Sequence, residues 1–309
     1  MEYRKLGNTG LEVSRLSFGA SSLGGVFRPV VEEIAIQAVH TALDGGINFI
    51  DVSPYYGLTK AETLLGKALK GIRRERYILA TKVGRITATD FDFSANRVIA
   101  SVDESLKRLG VDYVDLIQCH DIEFGSLDQI VNETLPALQR LCQTGQARFI
   151  GITGLPICVF HKVLDQTQVD TILSYCHYTL QDTTLAGHLP YLETKGVGII
   201  NASPLGMGLL TDRPPPNWHP AAPAIRAACA RAAVQCRKKG QSLSQLAIQF
   251  SATHPGIATT LVGTADPKEI EQDLCWMDQP LDLELLAEVQ ALLAPVRDQT
   301  WLSGRIENN

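Results

Sequence analysis

Short runs of apolar and β-branched residues alternate along the chain with longer stretches whose apolar positions recur every three or four residues. A strand covered on both faces reads as a continuous apolar run, whereas a helix with one buried face shows the 3.6-residue period. The runs that predict strands are Arg15–Phe18, Ile47–Asp51, Tyr77–Lys82, Val114–His120, Phe149–Thr153, Thr171–Ser174, Gly198–Ala202 and Thr259–Val262. A hairpin is predicted ahead of them, Tyr3–Leu6 with Glu12–Val13, turned at Gly7–Gly10. Between the strands lie helical patterns such as Glu32–Leu43, Ala61–Leu69, Ala95–Leu109, Leu127–Cys142, Cys158–Leu164 and Leu243–Thr253. Ser94 and Ser126 stand where they would cap the helices that follow, and Gly45-Gly46, Gly110, Gly145 and Gly196 stand where helices should end. The Pro-rich stretch Arg213–Pro223 reads as a loop, since three consecutive prolines cannot enter a helix.

Strands that alternate with helices predict a parallel sheet with crossover helices. An open doubly wound sheet would carry G-x-G-x-x-G after its first strand. Here that strand runs into Gly19-Ala20-Ser21-Ser22-Leu23-Gly24-Gly25, which lacks the spacing. Eight units without the fingerprint favour a closed (β/α)₈ TIM barrel with an N-terminal β-hairpin, one domain over residues 1–309.

Composition narrows the function classes. With 45% hydrophobic and 20% charged residues the chain has material for a large core. Its net charge of −5, without a long Lys/Arg block, sets up no field for nucleic acid. Seven widely spaced cysteines without a C-x-x-C pair suit reduced thiols. A polar start and the lack of any run of about 18 apolar residues predict neither secretion nor a membrane span. The expectation is a cytoplasmic protein, monomeric or weakly homo-oligomeric, acting on a small molecule.

In a barrel the C-terminal strand ends face one common site. The second strand ends in Asp51, the third in Thr81-Lys82 and the fourth in His120-Asp121, while Tyr56 follows five residues after Asp51. Singly these residues signal little. Together they form an acid–base set, because a tyrosine titrates near 10 and needs a cation beside it to exchange its proton near neutral pH. Lys82 and His120 can help it do so, and Asp51 would keep Lys82 charged and oriented.

These residues lie in segments that resemble the aldo-keto reductases: Gly45–Asp51 followed by Tyr56-Gly57, Thr81-Lys82, Ser101–Leu109, and Asp112–Leu116 leading to His120. The resemblance implies a catalytic tetrad of Asp51, Tyr56, Lys82 and His120, and metal-free hydride transfer between NAD(P) and a carbonyl or alcohol carbon. Ser53–Gly57, Cys119–Ile130, Gly151–Pro156, Ser174–Tyr178 and Ala202–Thr211 resemble the branch that oxidises C1 of a sugar such as L-galactose to its lactone with NAD.

The same resemblance implies cofactor contacts. Thr153, Gly154 and Ser174 fall where many members hold the nicotinamide carboxamide, departing from the usual Ser-Asn pair and Gln. Ala202 replaces a stacking aromatic, and Ser203 and Leu205 just beyond it are also expected at the cofactor. Val262–Asp273 matches the adenosine-end motif, which gives Gly263, Thr264, Glu269, Gln272 and Asp273 as contacts. Where NADP-preferring members carry an Arg, Glu269 would repel a 2′-phosphate, so NAD is the expected cofactor. The loop around Asn217-Trp218-His219 lies where the family folds a segment over the cofactor, and Trp301 is a candidate wall of the substrate pocket. The alternatives are another aldose 1-dehydrogenase, of the L-fucose or D-arabinose type, an NADPH-linked aldehyde or ketone reductase, and a non-enzymatic regulatory subunit.

Overall fold

The structure, a computed structural model, describes residues 1–309. Strands β1 (Tyr3–Lys5) and β2 (Glu12–Ser14) form an antiparallel hairpin. Eight parallel strands then close a barrel: β3 (Leu16–Gly19), β4 (Phe49–Asp51), β5 (Ile78–Val83), β6 (Val114–Cys119), β7 (Ala147–Gly154), β8 (Thr171–Tyr175), β9 (Gly198–Ala202) and β10 (Thr259–Val262). Each pairs with its sequence neighbour, and β10 returns to pair with β3. The expected barrel and hairpin are both present, and the strand bounds differ from the sequence reading by at most two residues.

The hairpin plugs the N-terminal mouth. Buried Leu6, Leu11 and Val13 pack against Phe49, Leu116 and Leu173 from the barrel interior. Each such fully buried side chain contributes about 1.5–3 kcal/mol. Gly7 makes the plug possible: its φ is +53°, and a Cβ there would stand 2.3 Å from the amide nitrogen of Gly198.

The outer helices are α1 (Glu32–Asp44), α2 (Lys60–Leu69), α3 (Ala95–Leu109), α4 (Leu127–Gln129), α5 (Leu135–Gln143), α6 (Ile157–Leu164), α7 (Thr184–Thr194), α8 (Pro223–Lys238), α9 (Leu243–Ser251), α10 (Pro267–Met277) and α11 (Leu283–Leu293). The helix expected over Leu127–Cys142 is broken by a π-helical turn at Ile130–Thr134. Pro136, in the first turn of α5, has no N–H to continue the ladder, and the turn widens just before it.

The two serine caps fare differently. Ser126 accepts from the Gln129 amide, whereas Ser94 makes no side-chain cap bond. Glu133 Oε1 takes the Ala95 amide instead, at 2.8 Å, because a carboxylate is the stronger acceptor.

Candidate active site

The parallel register places Asp51 beside Ala80 and Lys82 beside Gln118. Asp51, Lys82 and His120 therefore converge from three adjacent strands, and all are buried. Tyr56 enters from the loop between β4 and α2, which packs so tightly on the β3–α1 loop that a Cβ on Gly57 would lie 2.1 Å from the Gly24 carbonyl oxygen. Lys82 Nζ donates to Asp51 Oδ1, to the Val52 carbonyl at 3.0 Å and to the Tyr56 hydroxyl at 3.2 Å. Gln118 Nε2 donates to the other Asp51 oxygen at 2.7 Å. The His120 ring stands edge-on to Tyr56, with centroids 5.7 Å apart. The four residues inferred from sequence thus meet in one place.

Burial dominates the electrostatics. It pushes the Tyr56 phenol up to about 12 despite the pull of Lys82. It works against the Lys82 ammonium too, but Asp51 and Tyr56 outweigh it, so Lys82 is held above its ordinary value. Burial, reinforced by the nearby cations Lys82 and Arg85, presses His120 down to about 3, and the ring is neutral at physiological pH. This arrangement can hold a proton on Tyr56, stabilise the phenolate by a fixed cation, and offer a neutral imidazole to a reacting oxygen.

Several site residues escaped the sequence reading. Arg85 ion-pairs with Asp121 and lays its guanidinium over the Tyr55 ring, 3.9 Å from the centroid. It lies just beyond the end of β5, so the same strand-end rule could have found it. Ser53 Oγ is 3.0 Å from His120 Nδ1. Glu123, in the turn after His120, is pushed by burial and then by Asp121 up to about 8.

The cofactor candidates separate into two groups. Near the tetrad, the Thr153 hydroxyl is engaged by Asp121, accepting from its amide at 2.9 Å and donating to Oδ1 at 3.2 Å. Gly154 abuts Glu123: a Cβ there would meet Oε2 at 2.9 Å. Ser174, in contrast, is fully buried and its hydroxyl has no partner. An orphaned hydroxyl at a strand end fits the amide of a nicotinamide, which has both a donor and an acceptor to offer. Ala202, the last residue of β9, and Ser203 just beyond it are partly exposed, Ser203 has φ +57°, and Leu205 packs against two core clusters.

At the other end, Gly263 follows β10 and Thr264 is buried, while in α10 Gln272 is exposed and Asp273 is pushed up to about 8 by burial and then by Glu269. Glu269 does not stand alone. It accepts from Arg28 at 2.6 Å, from Arg213 at 3.4 Å and from the Thr264 hydroxyl. These arginines come from the β3–α1 loop and the Pro-rich loop. The same two loops meet again where Phe27 and Trp218 stand 6.1 Å apart. Trp301 packs edge-on against buried His219, at 5.1 Å.

Comparison with known proteins agrees with this geometry. The chain matches the Aldo/keto reductase family over residues 15–294. It is 53% identical to L-galactose dehydrogenase of Arabidopsis thaliana, covering 100% of this chain and 99% of that protein. It is 33% identical to D-arabinose 1-dehydrogenase of Saccharomyces cerevisiae, over 84% of this chain and 81% of that one. Among solved structures, the holo form of an aldo-keto reductase from Bacillus halodurans superposes with a TM-score of 0.79 at 29% identity, covering 97% of this chain and 98% of that one. A strand-by-strand barrel, buried Asp51, Lys82 and His120 meeting part-buried Tyr56 at its mouth, and a family match over nearly its whole length lead to one conclusion: the chain belongs to the aldo/keto reductase family, oxidoreductases that bind a nicotinamide cofactor.

Proposed function

We propose that residues 1–309 form one catalytic domain that oxidises C1 of an aldose to the lactone with NAD⁺, with L-galactose going to L-galactono-1,4-lactone as the preferred reaction. The observation that carries this reading is the full-length 53% identity to the Arabidopsis L-galactose dehydrogenase. The tetrad supplies the chemistry. The C1 hydroxyl lies between Tyr56 and His120, and the Tyr56 oxygen takes its proton as C1 gives up a hydride. The nicotinamide ring supplies the hydride acceptor. Lys82, 3.2 Å from the Tyr56 oxygen, stabilises the phenolate that accepts the proton, and Asp51 keeps Lys82 aimed. The cyclic hemiacetal loses one hydride and one proton and becomes the lactone.

Ser174 is the residue best suited to hold the carboxamide, with Thr153, Gly154, Ser203 and Leu205 around it. Gly263, Thr264, Glu269, Gln272 and Asp273 would surround the adenosine, and Glu269 would accept from a ribose hydroxyl. No helix is long and apolar enough to cross a membrane, and we place the enzyme in the cytoplasm as a monomer or weak homo-oligomer. The S. cerevisiae relative favours a second reading, oxidation of another aldose of related configuration.

A screen of NAD⁺ reduction over L-galactose, L-fucose, D-arabinose, L-gulose and D-galactose decides between them. Activity is expected with L-galactose and with sugars sharing its ring configuration, and little with D-galactose. No turnover of any aldose, together with good NADPH-linked reduction of simple aldehydes, would replace this function by a reductase.

A further inference from the structure

A neutral imidazole carries one N–H, and His120 can donate to a substrate oxygen only if that proton sits on the nitrogen facing it. We infer that Ser53 is a positioning residue whose hydroxyl donates to His120 Nδ1 and thereby holds the ring proton on Nε2, towards the reacting oxygen. The inference rests on the acid–base reading of the site above.

Two observations carry it independently. The first is a count of protons around Ser53, which is fully buried. Its Oγ lies 3.0 Å from His120 Nδ1 and already accepts the Tyr55 amide at 3.1 Å. If Nδ1 carried the proton, Oγ would accept twice and its own O–H would point into the interior without an acceptor. If Nδ1 is bare, Ser53 accepts once and donates once, and every group is satisfied.

The second observation is on the far side of the ring. His120 Nε2 lies 3.7 Å from Asp121 Oδ2. Asp121 is held as an anion by Arg85 and by the Thr153 hydroxyl. A bare Nε2 would set its lone pair against that carboxylate, whereas an N–H is attracted to it. The other groups facing the ring are the cations Lys82 and Arg85 and the rings of Tyr55 and Tyr56, both of which stand edge-on to it. Burial opposes a second ring proton, and together with both cations it outweighs the pull of Asp121, so the single-proton count holds through neutral pH.

The test begins with the full-length chain labelled with ¹⁵N-histidine. Long-range proton–nitrogen correlation at pH 7 should show His120 neutral and protonated on Nε2. A ring protonated on Nδ1, or on both nitrogens, would overturn the inference. Ser53→Ala should lower kcat for aldose oxidation by about tenfold while the KM for NAD⁺ stays within about twofold. Ser53→Thr, which keeps the hydroxyl, should return kcat to within about threefold of the parent. Unchanged kcat in Ser53→Ala would also overturn it. The nitrogen spectrum of the unmodified chain needs no turnover, so a failure here is distinct from a failure of the sugar screen.

Discussion

At the scale of single residues, the site is governed by one imbalance: burial drives Tyr56 up to about 12 while Lys82 pulls it back. The phenol is therefore mostly protonated at neutral pH; in the proposed chemistry it would be ready to donate in carbonyl reduction and short of the phenolate that oxidation needs. Below about pH 12 each unit of pH multiplies the phenolate about tenfold. The kcat/KM for aldose oxidation should accordingly rise with pH through the neutral range, whereas the reverse reduction should not. A flat oxidation profile between pH 6 and 9 would mean that another group takes the proton. Tyr56→Phe keeps the ring and removes the acceptor, so the hydride step should slow by about 10² or more with cofactor binding retained. Lys82→Met should be comparably damaging, because nothing would then oppose the burial of the phenolate, and rapid single-turnover kinetics would separate both effects from binding. The four residues could be read from sequence because barrel topology makes strand ends converge. Ser53 could not: it is a small hydroxyl in a loop, and its importance lies in a single hydrogen bond to a residue 67 positions away.

At the scale of elements, the strands were readable because each is a short run buried on both faces, and the period changes sharply on entering a helix. The π turn was not, since Pro136 is compatible with the first turn of a helix and only the lost ladder bond reveals the break. The start of α8 was not readable either: its first residue, Pro223, falls in the stretch read as a Pro-rich loop, although proline at a helix start is favoured. The greatest consequence came from loops. Glu269 begins α10 and reads as a carboxylate facing the adenosine site, but its partners Arg28 and Arg213 are 241 and 56 residues away, and no local pattern announces them. If the adenosine lies here as proposed, the carboxylate occupies guanidiniums that a 2′-phosphate would otherwise take. On the proposed reading, discrimination against NADP⁺ would act by occupying those cations as well as by repulsion. Glu269→Gln should release both arginines and raise the NADP⁺/NAD⁺ ratio of kcat/KM by about tenfold, equivalent to roughly 1.4 kcal/mol. Arg28 is partly exposed and Arg213 largely so, and added salt should therefore shrink the gain. An unchanged ratio would place Glu269 away from the ribose and leave the choice of NAD to similarity alone.

At the scale of the whole molecule, the hairpin plugs one end of the barrel while the C-terminal tail braces the other. Ser303 donates to Glu123 Oε1 at 2.9 Å, the Arg305 amide donates to the Glu123 carbonyl at 2.9 Å, and Asn308 Nδ2 donates to that same carbonyl at 2.9 Å. The tail thus seals a carboxyl beside the candidate active site and removes it from water. Glu123 rises by burial from an ordinary 4.5 to about 8, and Asp273, in α10, rises for the same reason from 3.8 to about 8. Both groups keep a proton in the folded chain at pH values where the unfolded chain has lost it. Their contribution is fully present below the unfolded values and is lost as pH rises through about 8, because the native state binds more protons across that window. His120 has the opposite sign: it is neutral when folded and charged when unfolded below 6.5, so it favours the native state increasingly as pH rises towards 6.5. The two trends oppose each other in acid and separate above pH 6.5. Between pH 6.5 and 8 the carboxyls act without that opposition, and the cofactor-free protein should lose thermal stability as pH rises. Replacing both, Glu123→Gln with Asp273→Asn, keeps the shapes but removes the titration. The fall in Tm from pH 6.5 to 8, followed by circular dichroism at fixed ionic strength, should then flatten. An equal fall in the double variant would assign the pH dependence to other groups and remove these two buried carboxyls as its cause.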